Sequence, residues 1–472
     1  MFLSFSYESK KFHYCKDQSS EDTIEHPRRI ISLDFMRGLA IIGVLISHNL
    51  ILDVWYGKQA FQIVPIWVIG LLFPLLLVFT WAGSFVLISG ITMSYSAYKR
   101  FEKGVSAQKI VFPIVINSIA LLLLDPIRTL IFSRPHLFRG GMTYSLLSTP
   151  IITGEWASPG IERLFLIGAL PMIGLSGLMA AILICTMFGK NREAQFNGNM
   201  RFLMVSGVVF LLLSIPLSYA LEPLIERMLN SAEPRYIAAY LLRIFGSAQL
   251  SFFPMGCYVF FGVAYGLLLA SGKDKQFIDT RLKFYANIFF VATAISIPLT
   301  FLLLKEPLNF IANIDIYSPT IIFFSMGCIT HIFKALVRYI EYGEPGKRAR
   351  FARRTLWIRR FGIVTLTLYI IEGVPGMFFS EFFHHHFGGK ALWTVANTEQ
   401  NAFMGNFPAI VLFVGFLFAF WMLVTWLWEK IGFIGSFEWL MVKVQGRFRK
   451  ERSTRLDLRK NLYDVSRKSP NP

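Results

Sequence analysis

Apolar stretches long enough to cross a lipid bilayer recur from one end of this 472-residue sequence to the other. A helix needs about 20 mostly apolar residues to cross roughly 30 Å of hydrocarbon. Charged residues make up only 16% of the chain, against about 25% in soluble domains. The sequence therefore predicts an all-α fold, a polytopic integral membrane bundle of about ten transmembrane helices. The predicted spans are 31–55, 66–98, 108–131, 164–188, 202–221, 250–271, 284–304, 318–338, 361–383 and 406–428.

Basic residues alternate between the two sides of these predicted spans. One side, which includes both ends of the chain, collects 34 lysines and arginines, and the other collects 10. Cytosolic loops are enriched in Lys and Arg, so both termini are predicted to be cytosolic, and the expected location is the plasma (bacterial inner) membrane. The net charge of +18 is then a topology signal and an attraction to anionic lipid. Nucleic acid is not expected as a partner.

The chain is predicted to form one integral domain with two tails. Residues 1–30 form a cytosolic N-terminal tail that lacks the apolar core of a cleavable signal peptide. Residues 31–428 form the transmembrane domain, and residues 429–472 form a basic, amphipathic cytosolic tail. Residues 433–444 are amphipathic enough to lie on the cytosolic surface. No spacing of cysteines indicates a metal site, and the three consecutive histidines 384–386 cannot share one helix face, so no metal is predicted.

The first span carries ionisable residues in an otherwise apolar sequence. Eleven residues, about three helical turns or roughly 16 Å, separate Arg37 from His48, so both lie on one face. Asp34 lies three residues before Arg37, close enough to pair with it. Ionisable groups are costly inside a bilayer and often functional. We therefore take this polar stripe as the candidate site, with His48 and Asp34 as catalytic residues and Arg37 as a ligand for an anionic group.

Each of these residues also has an ordinary structural interpretation. His48 could be a proton acceptor or a nucleophile, or a histidine bonded to a neighbouring helix. Asp53 could orient the imidazole, or it could be a solvated carboxylate at the membrane interface.

Other charged residues lie within or near the predicted spans. Asp125 and Arg128 either pair with each other or help to close an acceptor site. Glu372 lies deep in the ninth span, where a carboxylate needs a partner or a proton. Lys334 and Arg338 either extend to the cytosolic interface or contact the phosphates of a cofactor.

Several segments resemble one known family. LDFMRGLAIIGVLISH, from Leu33 to His48, resembles the first-helix signature of the transmembrane acyltransferase superfamily. Residues 81–99 (WAGSFVLISGITMSYSAYK) are similar to the second helix of its heparan-α-glucosaminide N-acetyltransferase-like branch. Residues 251–266, 360–372 and 435–443 are similar to its YeiB-like bacterial membrane proteins.

The resemblance implies transfer of an acyl group, usually acetyl, from cytosolic acyl-CoA to an extracytoplasmic acceptor such as a sugar or glycan. Arg37, Lys334 and Arg338 would then hold acyl-CoA, and Asp53, Asp125, Arg128 and Glu372 would serve the acceptor. The heparan-type branch has Asn at the position of His48 and its catalytic His about one helix length later. No His occurs here between Asn49 and Arg100, so the chain follows the wider pattern with His48 at the catalytic position.

Two other functions remain open. A multi-pass transporter of a small solute or lipid precursor would also contain intramembrane Asp, Glu and His, although inverted repeats are typical of transporters and the first-helix motif occurs once. The other open function is that of a receptor or scaffold without catalytic activity. The expected partners are the lipid bilayer, acyl-CoA and the acceptor, and a homodimer is left open.

Overall fold

The structure, a computed structural model, describes residues 30–54, 70, 82–138, 141–187, 195–231, 233–246, 250–304, 319–388, 406–448 and 462. Helices dominate these residues. Up to residue 270 they are α1 (Ile31–His48), α2 (Ala82–Glu102), α3 (Ala107–Ile131), α4 (Ser148–Thr153), α5 (Ala169–Met187), α6 (Phe196–Asn230), α7 (Tyr236–Gly246), α8 (Phe252–Met255) and α9 (Cys257–Ala270). Beyond it they are α10 (Lys275–Leu304), α11 (Pro319–Leu336), α12 (Pro345–Arg354), α13 (Leu356–Ile363), α14 (Thr365–Ile371), α15 (Gly373–Phe387), α16 (Phe407–Lys430) and α17 (Phe437–Phe448).

Short irregular elements lie at the ends of several helices. A π-helical turn, Asn49–Val54, continues α1, and a second, Val337–Glu341, continues α11. A 3-10 helix, Ile161–Phe165, leads towards α5. The strands β1 (His136–Phe138) and β2 (Gly141–Thr143) form a small antiparallel hairpin after α3.

Eight helical segments in the described part of the chain are long and apolar enough to cross a membrane. A ninth candidate is the pair α14 and α15, which is bent by 46°. The second predicted span covers residues 66–98. Most of its first half lies outside the described residues. Helix α2 covers the second half but is not one of the eight membrane-spanning candidates. The all-α bundle is confirmed, and the count of ten stays a prediction. The eight segments are Ile31–Val54, Ala107–Ile131, Ile161–Met187, Phe196–Asn230, Phe252–Ala270, Lys275–Leu299, Pro319–Glu341 and Phe407–Lys430.

The outer helices expose large apolar side chains. Leu123 of α3, Ile295 of α10 and Val411 of α16 are each more than 60% exposed. Exposed apolar surface on this scale would be unfavourable in water and marks contact with a membrane or a partner. Together with the eight apolar segments, it identifies an integral multi-pass membrane protein.

The core is centred on α9, of which every residue is buried. Helix α9 packs against α2 so closely that a Cβ atom on Gly262 would lie 2.6 Å from the Leu87 carbonyl oxygen and 3.1 Å from the Gly90 Cα. Only glycine allows two backbones to approach this far, which is the use of small residues expected between transmembrane helices.

Helix α1 is held in the bundle by α13 and by the second π-helical turn. A Cβ on Gly38 would overlap the Ile358 carbonyl, and one on Gly362 would lie 2.6 Å from the Asp34 carbonyl oxygen. At the start of α1, the backbone N–H and the hydroxyl of Ser32 both donate to Glu341, each at 2.7 Å. The Arg-Gly pair of the first-helix motif therefore marks the point where α1 crosses α13.

Helix α17 is attached to the bundle through Glu438, which is buried. Its carboxylate accepts hydrogen bonds from the backbone N–H groups of Leu366, at 2.6 Å, and Thr367, at 3.3 Å, in the first turn of α14. A carboxylate at this position satisfies backbone donors that the helix itself leaves unpaired. The amphipathic segment predicted at 433–444 thus packs onto the transmembrane helices; its cytosolic location stays a prediction.

The contact between α2 and α9 gives a direct test of the packing. We expect Gly262→Ala to lower the stability by about 1–3 kcal/mol, because the new methyl group would force the two helices apart. The control is Gly415→Ala in α16, where a Cβ meets no atom within 4 Å; this change should be neutral or stabilise by up to about 1 kcal/mol. Thermal unfolding in detergent measures both. Equal transition temperatures for the two variants would contradict this packing.

Candidate functional site

Three segments that are far apart in the sequence meet at the end of α1. The first is α1 with its π-helical turn, which contributes His48, Asn49 and Asp53. The second is the break between α14 and α15, where Glu372 is the last residue before α15 begins. The third is the loop after α3, which contributes Arg134. We call these five residues the His48 network.

The imidazole of His48 is bonded to a buried carboxylate. Its Nδ1 lies 3.0 Å from Oε1 of Glu372, a residue 324 positions away in the sequence. The Glu372 side chain is only 6% exposed, whereas the His48 side chain is 32% exposed. Nε2 of His48 has no hydrogen-bond partner among the described residues. A carboxylate on Nδ1 favours the tautomer that leaves Nε2 able to accept a proton.

Arg134 connects both carboxylates of the network. Its Nη1 and Nη2 donate to Oε1 and Oε2 of Glu372 at 2.7 and 2.8 Å. Its Nε and Nη2 donate to Oδ1 and Oδ2 of Asp53 at 2.7 and 2.8 Å, and Nη2 lies 3.3 Å from Oδ1 of Asn49. Burial opposes the charge of Arg134, but the two carboxylates outweigh it and raise the pKa of the guanidinium.

The network contains one more acid than it has permanent bases. Asp53 and Glu372 contribute two carboxylates, and Arg134 contributes one guanidinium. His48 is the remaining ionisable member, and its Nδ1 lies 3.0 Å from Oε1 of Glu372. Glu372 is therefore shared between the guanidinium of Arg134 and the imidazole of His48.

The structure contradicts one of the two sequence interpretations of Asp53. Its side chain has no exposed surface, so it is not a solvated interfacial carboxylate, and it is paired with Arg134. Glu372 occupies the position that would orient the imidazole. The sequence could not distinguish these two acids, because whether Glu372 reaches His48 depends on how the break between α14 and α15 packs against α1.

Arg134 was missed by the sequence analysis. It lies in a predicted outer loop and follows no motif there. The available signal was indirect: two carboxylates within predicted spans require a cation, and Arg134 comes soon after the end of the third span.

A second arginine, Arg163, holds the loop that carries Arg134. Arg163 is fully buried, and its guanidinium donates to the carbonyl oxygens of Thr129 at 3.1 Å, Thr143 at 2.6 Å and Arg134 at 2.8 Å. It also donates to the hydroxyl of Ser133. The backbone on both sides of Arg134 is thereby fixed relative to α3.

Asp125 and Arg128 pair, as one of the two interpretations predicted, and lie near the network. Nε of Arg128 is 3.2 Å from Oδ1 of Asp125, whose Oδ2 accepts from the Gly168 N–H at 2.9 Å. The Arg128 guanidinium lies 5.4 Å from the centre of the Tyr369 ring, which is 6.3 Å from the centre of the His48 ring. Arg128, 17% exposed, is thus separated from His48 by one aromatic ring.

Asp34 and Arg37 lie at the other end of α1. Arg37 Nη1 is 3.7 Å from Oδ1 of Asp34, and Nη2 is 3.4 Å from the hydroxyl of Thr92. The predicted pairing is therefore present. About three helical turns, roughly 16 Å, lie between Arg37 and His48, so the structure does not bring Asp34 to the imidazole. Glu372 takes the position that a catalytic role for Asp34 would require.

The predicted cofactor residues Lys334, in α11, and Arg338, in the π-helical turn after it, lie at the same end of the bundle as Arg37. Arg338 pairs with Asp279 at 3.2 Å and lines an open cavity of about 320 Å³. Lys334 is half-buried and lies one turn earlier, outside this lining. The cavity residues are Lys275, Arg338, Tyr339, Tyr342, Gly343, Glu344 and Lys347.

The histidine run near the end of α15 makes separate contacts. His384 is buried, with Nε2 3.5 Å from the Asp53 carbonyl oxygen, and His386 Nδ1 lies 2.8 Å from the Phe382 carbonyl oxygen. Within the described ranges, no three His, Cys, Asp or Glu side chains are grouped so that they could hold a metal ion. A site without a metal stays a prediction.

No protein-family model matches this sequence, and the comparison with curated proteins found no match. The resemblance to the transmembrane acyltransferases therefore depends on the sequence motifs alone, chiefly residues 33–48 and 81–99.

The network gives a test that needs no knowledge of the substrate. We expect Glu372→Gln to destabilise the protein by about 3–5 kcal/mol, because it leaves buried Arg134 with one carboxylate fewer. Glu344→Gln is the matched control, since Glu344 is 75% exposed in its pair with Lys347, and exposed pairs contribute about 0–1 kcal/mol. Thermal unfolding in detergent compares the two. A similar small effect for both would show that Glu372 is not part of a buried ion pair.

Proposed function

We propose that this protein is a membrane-embedded acyltransferase that moves an acyl group, acetyl in the simplest case, from acyl-CoA to an acceptor such as a sugar or glycan. The observation that supports it most is the contact between His48 and Glu372. An imidazole with one nitrogen held by a buried carboxylate and with exposed surface is suited to general-base catalysis.

The reaction proceeds by direct transfer. Nε2 of His48 takes the proton of the acceptor O–H or N–H as the acceptor atom attacks the thioester carbonyl carbon. The C–S bond then breaks, and the imidazolium gives this proton to the sulfur of the departing CoA thiolate. Glu372 stabilises the imidazolium between these two steps. Catalysis by a base of this kind contributes about 10²–10⁴-fold to the rate.

The donor binds at the end of the bundle where Arg37 lies. The phosphates of acyl-CoA need cations and hydrogen-bond donors. Arg37, Lys334 and Arg338 supply cations there, with Lys275 and Lys347 beside the cavity. The acyl chain and pantetheine arm then extend along α1 towards His48, which lies roughly 16 Å from Arg37.

The acceptor binds at the opposite end, beside Arg128 and Tyr369. Arg128 keeps some exposed surface and lies across the Tyr369 ring from His48. Asp53 and Glu372, both predicted acceptor ligands, are enclosed and bound to Arg134. We therefore assign these two carboxylates to the support of His48.

Acyl transfer by the purified protein tests this proposal. With acetyl-CoA labelled in its acetyl group and a panel of hexoses and hexosamines, we expect His48→Gln to lower kcat by about 10²–10⁴-fold. Arg37→Gln should raise KM for acetyl-CoA, because it removes a cation from the donor site. The control is His385→Gln, an exposed histidine outside the site. Full activity in both His48→Gln and Arg37→Gln would exclude this site.

A proton-coupled transporter is the second candidate. Buried acids beside a bent span also occur in transporters, and Glu372 lies at such a bend. Uptake of the same sugars into sealed vesicles without acyl-CoA separates the two functions. Uptake that is independent of acyl-CoA favours transport.

The orientation that goes with the proposal places both termini in the cytosol. In a variant that lacks the four native cysteines, we introduce Trp156→Cys or Lys273→Cys at exposed positions. A maleimide that cannot cross the membrane should label Cys at 156 in intact bacterial cells and Cys at 273 only after the cells are opened. The reverse pattern would invert the topology.

A further inference from the structure

Arg134 is the residue on which the position of Glu372 depends. Its guanidinium contacts both oxygens of the Glu372 carboxylate, at 2.7 and 2.8 Å. The Oε1 atom that it contacts is the same atom that lies 3.0 Å from Nδ1 of His48. A two-point contact of this kind fixes the orientation of the carboxylate plane as well as the distance between the carboxylate and the guanidinium.

Asp53 completes the arrangement on the other side of Arg134. It forms its own two-point contact with the guanidinium, and its side chain has no exposed surface. Asp53 thus neutralises the charge of Arg134. The negative charge of Glu372 then remains available to His48.

The anchoring of Arg134 is rigid at both ends. Its carbonyl oxygen accepts from Arg163, which also binds Thr129 and Thr143. Its side chain reaches the π-helical turn after α1 and the break between α14 and α15. A residue held in this way can transmit a fixed geometry to its partners.

We propose that Arg134 is a positioning residue for His48: it fixes the Glu372 carboxylate against Nδ1 of the imidazole, with Asp53 as its counter-ion. The kinetic part of this inference rests on the proposed acyl transfer, and the structural part does not. If Arg134 served only to neutralise buried acids, any change that kept the charge balanced would preserve the site.

Two variants separate positioning from charge balance. Arg134→Lys keeps the positive charge but lacks the planar fork that binds a carboxylate at two points. Arg134→Gln combined with Asp53→Asn removes one positive and one negative charge. Both leave the network with the charge balance of the native protein, so we expect transition temperatures well above that of Arg134→Gln alone.

The direct readout is the tautomer of His48. Nitrogen NMR of protein labelled with ¹⁵N-histidine, in lipid nanodiscs at a pH where free histidine is neutral, distinguishes Nδ1–H from Nε2–H. The His48 signal is assigned by its loss in His48→Gln. We expect native His48 to be the Nδ1–H tautomer and both charge-balanced variants to lose that preference.

The kinetic readout uses acetyl-CoA and the sugar that supports transfer. We expect kcat to fall about 100-fold in both charge-balanced variants, because a misplaced base loses its alignment, with KM for acetyl-CoA unchanged. Arg235→Gln is the control, an exposed arginine of the same predicted outer side. It should leave both the tautomer and kcat as in the native protein.

The outcomes are distinct. Loss of the Nδ1–H preference together with lower kcat supports the positioning role. Retention of the native tautomer in both charge-balanced variants overturns it, whether or not the protein transfers acetyl groups. If the tautomer changes but the native protein transfers no acetyl group to any sugar tested, the role of Arg134 stands and the proposed acyltransferase function fails.

Discussion

The pairing of ionic groups near the end of α1 is the interaction on which the site depends. A lone carboxylate or guanidinium is costly to bury, and the cost is offset only when partners have good geometry. Arg134 supplies those partners by binding Asp53 and Glu372 at 2.7–2.8 Å. His48 gains from this arrangement a fixed carboxylate on one nitrogen, so that its two ring nitrogens have different surroundings.

The surrounding bundle makes this pairing possible by keeping the carboxylates away from lipid. Its outer helices present large apolar side chains outward, whereas the buried α9 packs backbone to backbone against α2 at Gly262. Three irregular elements lie at the site itself: the π-helical turn after His48, the break at Glu372 and the loop that carries Arg134. Such departures from regular helix are accommodated at membrane depth where they are enclosed by protein.

Much of the fold follows from local pattern, because hydrophobic length and charge placement are properties of each segment alone. Eight apolar helical segments overlap the predicted spans, and the Asp34–Arg37 and Asp125–Arg128 pairs follow from helical spacing. Asp53 shows the limit of this reasoning. Spacing on α1 placed it one turn beyond His48, but its burial and its bond to Arg134 depend on a loop 81 positions away.

The sequence by itself determined an all-α membrane bundle and singled out His48, because an ionisable residue in an apolar stretch is visible without any contact. Only the tertiary structure decided which side chains contact that histidine and hold its partner in place. Glu372 lies 324 positions from His48 and 238 from Arg134, and no periodicity extends over such separations. Partners of this kind are fixed by how helices pack in three dimensions, so a single sequence does not reveal them.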